Sequence, residues 1–281
     1  MTEFENIVIG KNSVPALSVT AVLMLVIPVG FFLYWYLKHK AQVNILYLIA
    51  GAAGFIVSAR MLELGVHYIC IVMDNPVSRF INGNTAVYVL YGTVMAGVFE
   101  ECGRHIVLRF FLKKDRTREN AVLYGIGHGG IEVLAVLLPS MVLYLVIAVL
   151  FTAGDPAEAL SALKITEETA AAALPSVQAA AAFDYSLMAL NVLERLFAMF
   201  AHIGFTVIVF YGVKNGKKAF LPLAILLHMA MDTFPALYQR GVMPLWSVEV
   251  WAAVWAVIIV LIALPLYKKM KTEADEAVYG A

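Results

Sequence analysis

Long apolar runs separated by short basic connections dominate this sequence, and such a chain has one natural solvent, the interior of a lipid bilayer. Crossing the hydrocarbon core takes about 20 mainly apolar residues, because every backbone polar group must be satisfied inside the segment. Seven stretches meet that length: residues 14–37, 44–73, 85–112, 120–152, 185–213, 219–239 and 245–267. The expected fold is therefore all-α, a polytopic membrane helix bundle of about seven spans forming a single domain over residues 1–281. The fourth stretch holds Pro139, which would kink it or split it to give eight helices. A mean hydropathy of +0.83 with only 14% charged residues excludes an ordinary soluble domain.

Basic residues in short loops mark the cytoplasmic side. Lys38 and Lys40; Lys113, Lys114, Arg116 and Arg118; Lys214, Lys217 and Lys218; and Lys268, Lys269 and Lys271 occupy alternate connections. The others carry one basic residue each: Lys11, Arg79, Lys164 and Arg240. This alternation places the N-terminus outside and the C-terminus in the cytoplasm, as expected for a bacterial-type inner-membrane protein. The N-terminal stretch lacks a basic start and a small-residue cleavage site, so the first apolar run reads as a retained span. Residues 153–184 are Ala-rich, too charged to span, and expected to form one or two short helices outside the membrane, broken near Pro175. Zero formal charge without a basic stripe argues against nucleic-acid partners, and Cys70 and Cys102 have neither zinc-knuckle nor disulfide spacing.

Charges deep in a bilayer are costly, so they normally face a protein interior and have a partner or a task. The third span carries Glu100, Glu101 and Arg104; the fourth His128 and Glu132; the fifth Glu194, Arg195 and His202; the sixth His228 and Asp232. Counting from the basic cluster of each span puts Glu100, His128, His202 and His228 at one level, roughly 15 to 20 Å from the cytoplasmic end. Four helices sharing a depth can build one site. Within the helices, Glu100 and Arg104, His128 and Glu132, and His228 and Asp232 are i,i+4 pairs on one face. Glycines around His128 would let a neighbouring helix approach closely. A second layer nearer the outside, Arg60 and Glu63 with Glu194 and Arg195, is expected to form an ion-pair network that holds helices together. His67 reads as an interfacial histidine.

Peptide hydrolysis needs an activated water, a group facing the oxyanion and an acid for the leaving amine. Glu100 or Glu101 with His128 or His202 has the chemistry for the first. His228 beside Asp232 could face the oxyanion, and Arg104 would hold the carboxylates in place. The same residue types bind zinc, in which case His128, His202, His228 and Glu100 are the candidate ligands. No two-histidine metalloprotease helix motif is present, and a water-activating glutamate requiring no cofactor is the expectation.

Glu100-Glu101-Cys102-Gly103-Arg104, Gly127-His128-Gly129-Gly130-Ile131-Glu132, Glu194-Arg195 followed by His202, and His228 followed by Asp232 resemble the motifs of YhfC-type membrane peptidases. These in turn resemble the glutamate-dependent intramembrane proteases, among them the CAAX prenyl endopeptidases, the PrsW site-1 proteases and the gamma-secretase scaffold subunit. The resemblance implies Glu100 as base, His128 or His202 as its assistant, and His228 with Asp232 on the oxyanion side. It departs from the prenyl endopeptidases in the spacing of Glu101 to Arg104, and in having Tyr124 and Ala198 four residues before His128 and His202. The function expected is endoproteolysis of a membrane protein or lipidated peptide within the bilayer. A proton- or cation-coupled transporter and a catalytically silent scaffold are the alternatives, and the oligomeric state is not legible.

Overall fold

The computed structural model describes residues 2–270, and among them every regular element is helical. After a single turn at Thr2–Glu5 come α1 (Ser13–His39), α2 (Leu46–Val72), α3 (Pro76–Gly83), α4 (Thr85–Ile106), α5 (Arg118–Ala153), α6 (Pro156–Ala162), α7 (Glu167–Ala182), α8 (Tyr185–Lys214), α9 (Phe220–Gln239) and α10 (Leu245–Lys269). Six of them, α1, α2, α5, α8, α9 and α10, are long and apolar enough to cross a membrane. The remaining expected span is also a continuous helix, α4 running on into a π-helical turn at Val107–Phe111, but its acidic pair and Arg104 set it apart in composition. This is an integral, multi-pass membrane protein. Lys271, counted above in the last basic cluster, lies outside the described residues.

Local chemistry explains several boundaries. Asn75 accepts from the amides of Val77 and Ser78, and the Ser78 hydroxyl accepts from the Asn75 amide, a reciprocal cap with Pro76 at the first helical position of α3. Asn84 caps α4 through the Val87 amide. Pro139 does not end α5. It stands at the start of the stretch Leu138–Ala153, directly after a π-helical segment at Val133–Leu137, and a wider turn accommodates a residue that has no N–H to give. The expected break near Pro175 is not there either. Pro175 lies inside α7, and the chain instead turns at Lys164, whose φ is +55°, before Thr166 and Thr169 cap the next helix. One lost backbone bond is tolerated within a 16-residue Ala-rich helix.

The described residues fall into two compact units. In the unit formed by residues 2–27 and 133–195, α7 packs on the last half of α5, and Ser13 Oγ and the Gly10 amide both donate to the Ala181 carbonyl at 3.0 Å. In the unit formed by residues 28–132 and 196–270, α2 and the first half of α5 meet almost backbone to backbone. A Cβ on Gly127 would come within 2.1 Å of the Leu48 carbonyl oxygen, so only glycine permits this approach. On the other side of α5, a Cβ on Gly125 would meet Ile203 Cα of α8 at 2.6 Å. Helix α9 lies against α4, and Trp251 of α10 stacks on Phe234 at 4.0 Å and donates its indole N–H to the Ala230 carbonyl, fixing α9 just before Asp232.

Candidate active site

All eight residues singled out from the sequence fall within the second unit. Glu101, Arg104 and His128 are completely buried, Glu100, His202 and His228 nearly so, and Glu132 and Asp232 are half-buried at the edge. Helices α4, α5, α8 and α9 thus deliver their polar groups to one cluster.

The neighbouring glutamates separate. Glu100 turns to the imidazoles of α5 and α8, with Oε2 3.0 Å from His128 Nε2 and 3.9 Å from His202 Nδ1. Glu101 turns to Arg104 and to His228, whose Nδ1 lies 2.8 Å from Glu101 Oε1. The expected i,i+4 pair of Glu100 and Arg104 is corrected here. Arg104 pairs with Glu101 at i,i+3, a spacing equally favourable on a helix, and Glu100 lies instead on the side that meets His128. The resemblance left open which histidine assists Glu100; His128 makes the direct hydrogen bond, and His202 stands one step behind it.

The hydrogen bonds of His202 fix its tautomer. Arg104 Nη2, which can only donate, lies 3.2 Å from His202 Nδ1, so Nδ1 offers its lone pair and Nε2 carries the proton. That proton goes to Glu132 Oε2 at 2.6 Å. Glu132 therefore serves His202, on another helix, and not the His128 with which it shares a face. The His228 ring is held at both nitrogens, by Glu101 and by Asp232 Oδ2 at 3.4 Å.

An aromatic wall surrounds these groups, and the sequence reading missed it. Phe205 stacks on the His228 ring at 4.8 Å with an interplanar angle of 7°, and the Arg104 guanidinium carbon lies 5.8 Å from the Phe205 centroid. Phe55 meets His128 edge-on at 5.2 Å, and Tyr124, one turn before it, lies at 6.3 Å. Helical spacing could have flagged Tyr124 and Phe205; nothing in the sequence singles out Phe55, whose partner is on a different helix.

A metal can be tested against the donor set. Glu100, His128 and His202 each present one ligand atom, all within 4.8 Å of one another and all buried. Two imidazoles and one carboxylate are a known catalytic zinc set, and Glu132 behind His202 is the kind of carboxylate that orients a metal-bound imidazole. His128 Nδ1, Arg104 Nε and Glu101 Oε2 are buried without a hydrogen-bond partner among the described residues, so the polar cluster is not saturated. The residues fit a zinc-like ion. His228, the fourth candidate ligand, is outside this set and is held by Glu101 and Asp232.

The outer layer is arranged differently from the expectation. Glu63 pairs with His67 at 3.1 Å on its own helix, His67 Nδ1 reaches Tyr91 Oη at 3.0 Å, and Arg60 is exposed. His67 is thus the partner of a buried acid and not a bystander at the interface. Arg195 contacts Glu194, its neighbour in sequence.

Comparison with known proteins agrees with the motifs. The chain is 30% identical over 266 residues to "Uncharacterized membrane protein YhfC" of Bacillus subtilis (strain 168), covering 94% of this chain and 98% of that protein. No solved structure matches. The family model described as YhfC intramembrane metalloprotease matches residues 23–262, which include every residue of the cluster, and the chain belongs to that family.

Proposed function

We propose that this protein is an intramembrane endopeptidase of the cytoplasmic membrane, cutting a membrane protein or lipidated peptide at the cluster of Glu100, His128 and His202. The observation that carries the reading is the convergence of a buried carboxylate and two buried imidazoles from three helices, with the half-buried Glu132 and Asp232 marking its accessible side. The basic connections support seven crossings, with α4 among them, and an N-terminus outside.

In this reading Glu100 Oε2 takes a proton from a water held between it and the two imidazoles. The water oxygen bonds to the scissile carbonyl carbon, the C–N bond breaks, and Glu100 returns the proton to the leaving amine nitrogen. Glu132 keeps His202 in one tautomer throughout. Arg104 and His228, both bonded to Glu101 and backed by Phe205, supply fixed positive and donor character on the side where the oxyanion develops. A zinc-like ion, if bound, would be held by Glu100, His128 and His202 and would supply Lewis-acid polarisation and a more acidic water. The family's description as a metalloprotease supports that version. One observation favours glutamate alone: Arg104 already donates to His202 Nδ1, the lone pair a metal would use.

The test is cleavage of model transmembrane substrates by the full chain in liposomes, comparing wild type with Glu100→Gln and His202→Ala. Both variants are expected to lose activity by at least about 100-fold. Loss on chelation with recovery on adding zinc establishes the metal version, and indifference to chelators the glutamate version. Absence of cleavage by wild type across several substrates overturns the protease reading.

A further inference from the structure

A second feature of the same unit has no part in this chemistry. An apolar cavity of about 260 Å³ lies among α1, α5, α8 and α10, with Trp35, Val122, Ile203, Val207, Ala263 and Tyr267 among its walls. On α10 it extends from Val260 to Tyr267, and on α8 from Phe200 to Val207, each a run of eight residues and so about 10 Å along the helix. That length matches part of a hydrocarbon chain lying along the helices.

Its end is chemically different from its length. Trp35 and Tyr267 meet there with ring centroids 6.5 Å apart, the Trp35 indole N–H donates to the Glu119 carbonyl, and Arg118 lies over the Tyr267 ring at 5.0 Å. Glu119 Oε1 pairs with Arg118 Nε at 2.9 Å and lies 3.5 Å from the Tyr267 hydroxyl, while its Oε2 is buried without a hydrogen-bond partner among the described residues. Beyond the aromatic pair, α1 closes with Lys38 and α10 with Lys268 and Lys269. All three are exposed, and none forms an ion pair among the described residues. An apolar groove thus ends in tryptophan and tyrosine, followed in sequence by three lysines from two of the helices that line it, the order expected at a membrane interface.

We propose that this groove is a binding site for an anionic phospholipid, its acyl chain lying between α8 and α10 and its phosphate facing Lys38, Lys268 and Lys269. The groove alone cannot select a ligand, since lipid tails are as apolar as its walls. Selectivity must come from the head group, at roughly fivefold per lysine near a membrane surface. The site backs directly onto the active-site helices. Ile203 and Gly204 follow His202, and Val122 is on the same helix as His128, so a bound chain fills the rear of the elements that present both imidazoles.

The experiment is native mass spectrometry of the full-length protein released from nanodiscs holding equal amounts of phosphatidylglycerol and phosphatidylcholine with identical acyl chains. One phosphatidylglycerol is expected to be retained in clear preference. Lys268→Gln with Lys269→Gln is expected to cut that preference by more than tenfold, with the unfolding midpoint checked to confirm an intact fold. Leu264→Trp with Val260→Phe, which fills the groove, is expected to abolish retention of either lipid. Equal retention of the two lipids by wild type overturns the proposal, as does a preference unchanged by the lysine substitutions. Displacement of the lipid by an uncharged acylated peptide, at concentrations where phosphatidylcholine does not compete, would reassign the groove to the substrate's chain and also overturn it. None of these readouts needs proteolysis, so the proposal and the protease reading fail separately.

Discussion

Gly127→Ala is the sharpest test of how the site is assembled. The added methyl would stand 2.1 Å from the Leu48 carbonyl oxygen and 2.8 Å from its carbon, both rigid backbone atoms. Restoring an ordinary contact means separating α2 from α5 by about 1 Å at that level. His128 is the next residue, and its 3.0 Å contact with Glu100 is set by where α5 lies. A displacement of about 1 Å in a catalytic group costs on the order of 100-fold in rate. Stability should change much less: overpacking costs about 1–3 kcal/mol, and replacing glycine by alanine in a helix returns about 1 kcal/mol. Gly92→Ala on α4 is the control, since its Cβ would meet nothing within 4 Å, and it should gain about 0.5–1 kcal/mol without loss of rate. Cleavage rate in liposomes and unfolding midpoint in a denaturing-detergent titration are measured for both variants. A Gly127→Ala protein that cleaves like wild type, or that is indistinguishable from Gly92→Ala, would refute close helix approach as the device that positions His128.

Three further outcomes are expected. Arg104→Met leaves Glu101 buried with only His228 as partner and should destabilise the fold by about 3–5 kcal/mol, whereas Arg104→Met with Glu101→Leu should recover most of that loss; simple additivity of the two single changes would contradict the pairing. Glu132→Ala frees the His202 Nε2 proton and should lower activity, or zinc affinity if an ion is bound, by about 10- to 100-fold, together with a change in the Nε2 shift as its proton loses the carboxylate. Unchanged shifts would show that Arg104 alone orients the ring. Phe205→Ala should cost about 3–5 kcal/mol, because the ring is fully buried between His228 and Arg104, and retention of wild-type stability would mean the wall is not holding them.

Much of this site is legible in the sequence, because a bilayer makes charge expensive and a helix makes distance countable. Those two facts suffice to bring Glu100, His128, His202 and His228 to one level. They do not choose partners. Glu100 and Glu101 are one residue apart yet serve different halves of the cluster, and Arg104 can reach either by helical spacing alone. The choice depends on which faces of α5, α8 and α9 pack against α4, and that is settled by close contacts such as those at Gly125 and Gly127. The same limit explains the outer layer. Glu63 and His67 are an i,i+4 pair, but charge complementarity in the sequence favours Arg60, which is exposed. Pro175 misled in the opposite direction, since a local breaker inside a strongly helical Ala-rich segment did not outweigh its surroundings.

The π-helical stretches in α2 make that helix a counting device as well as a support. Each wide turn takes one residue more than an α turn, and everything beyond it is rotated by about 100° relative to a regular helix. Gly51, which meets the Tyr124 carbonyl, lies before the stretch Ile56–Glu63, while His67, which meets Tyr91, lies after it. Both contacts are satisfied together only with the additional residue in place. Losing a single residue from that stretch would therefore act as a rotation, leaving the glycine face seated on α5 and swinging the histidine away from α4. In this helix, length is encoded as angle, and a one-residue deletion would be felt more than most substitutions.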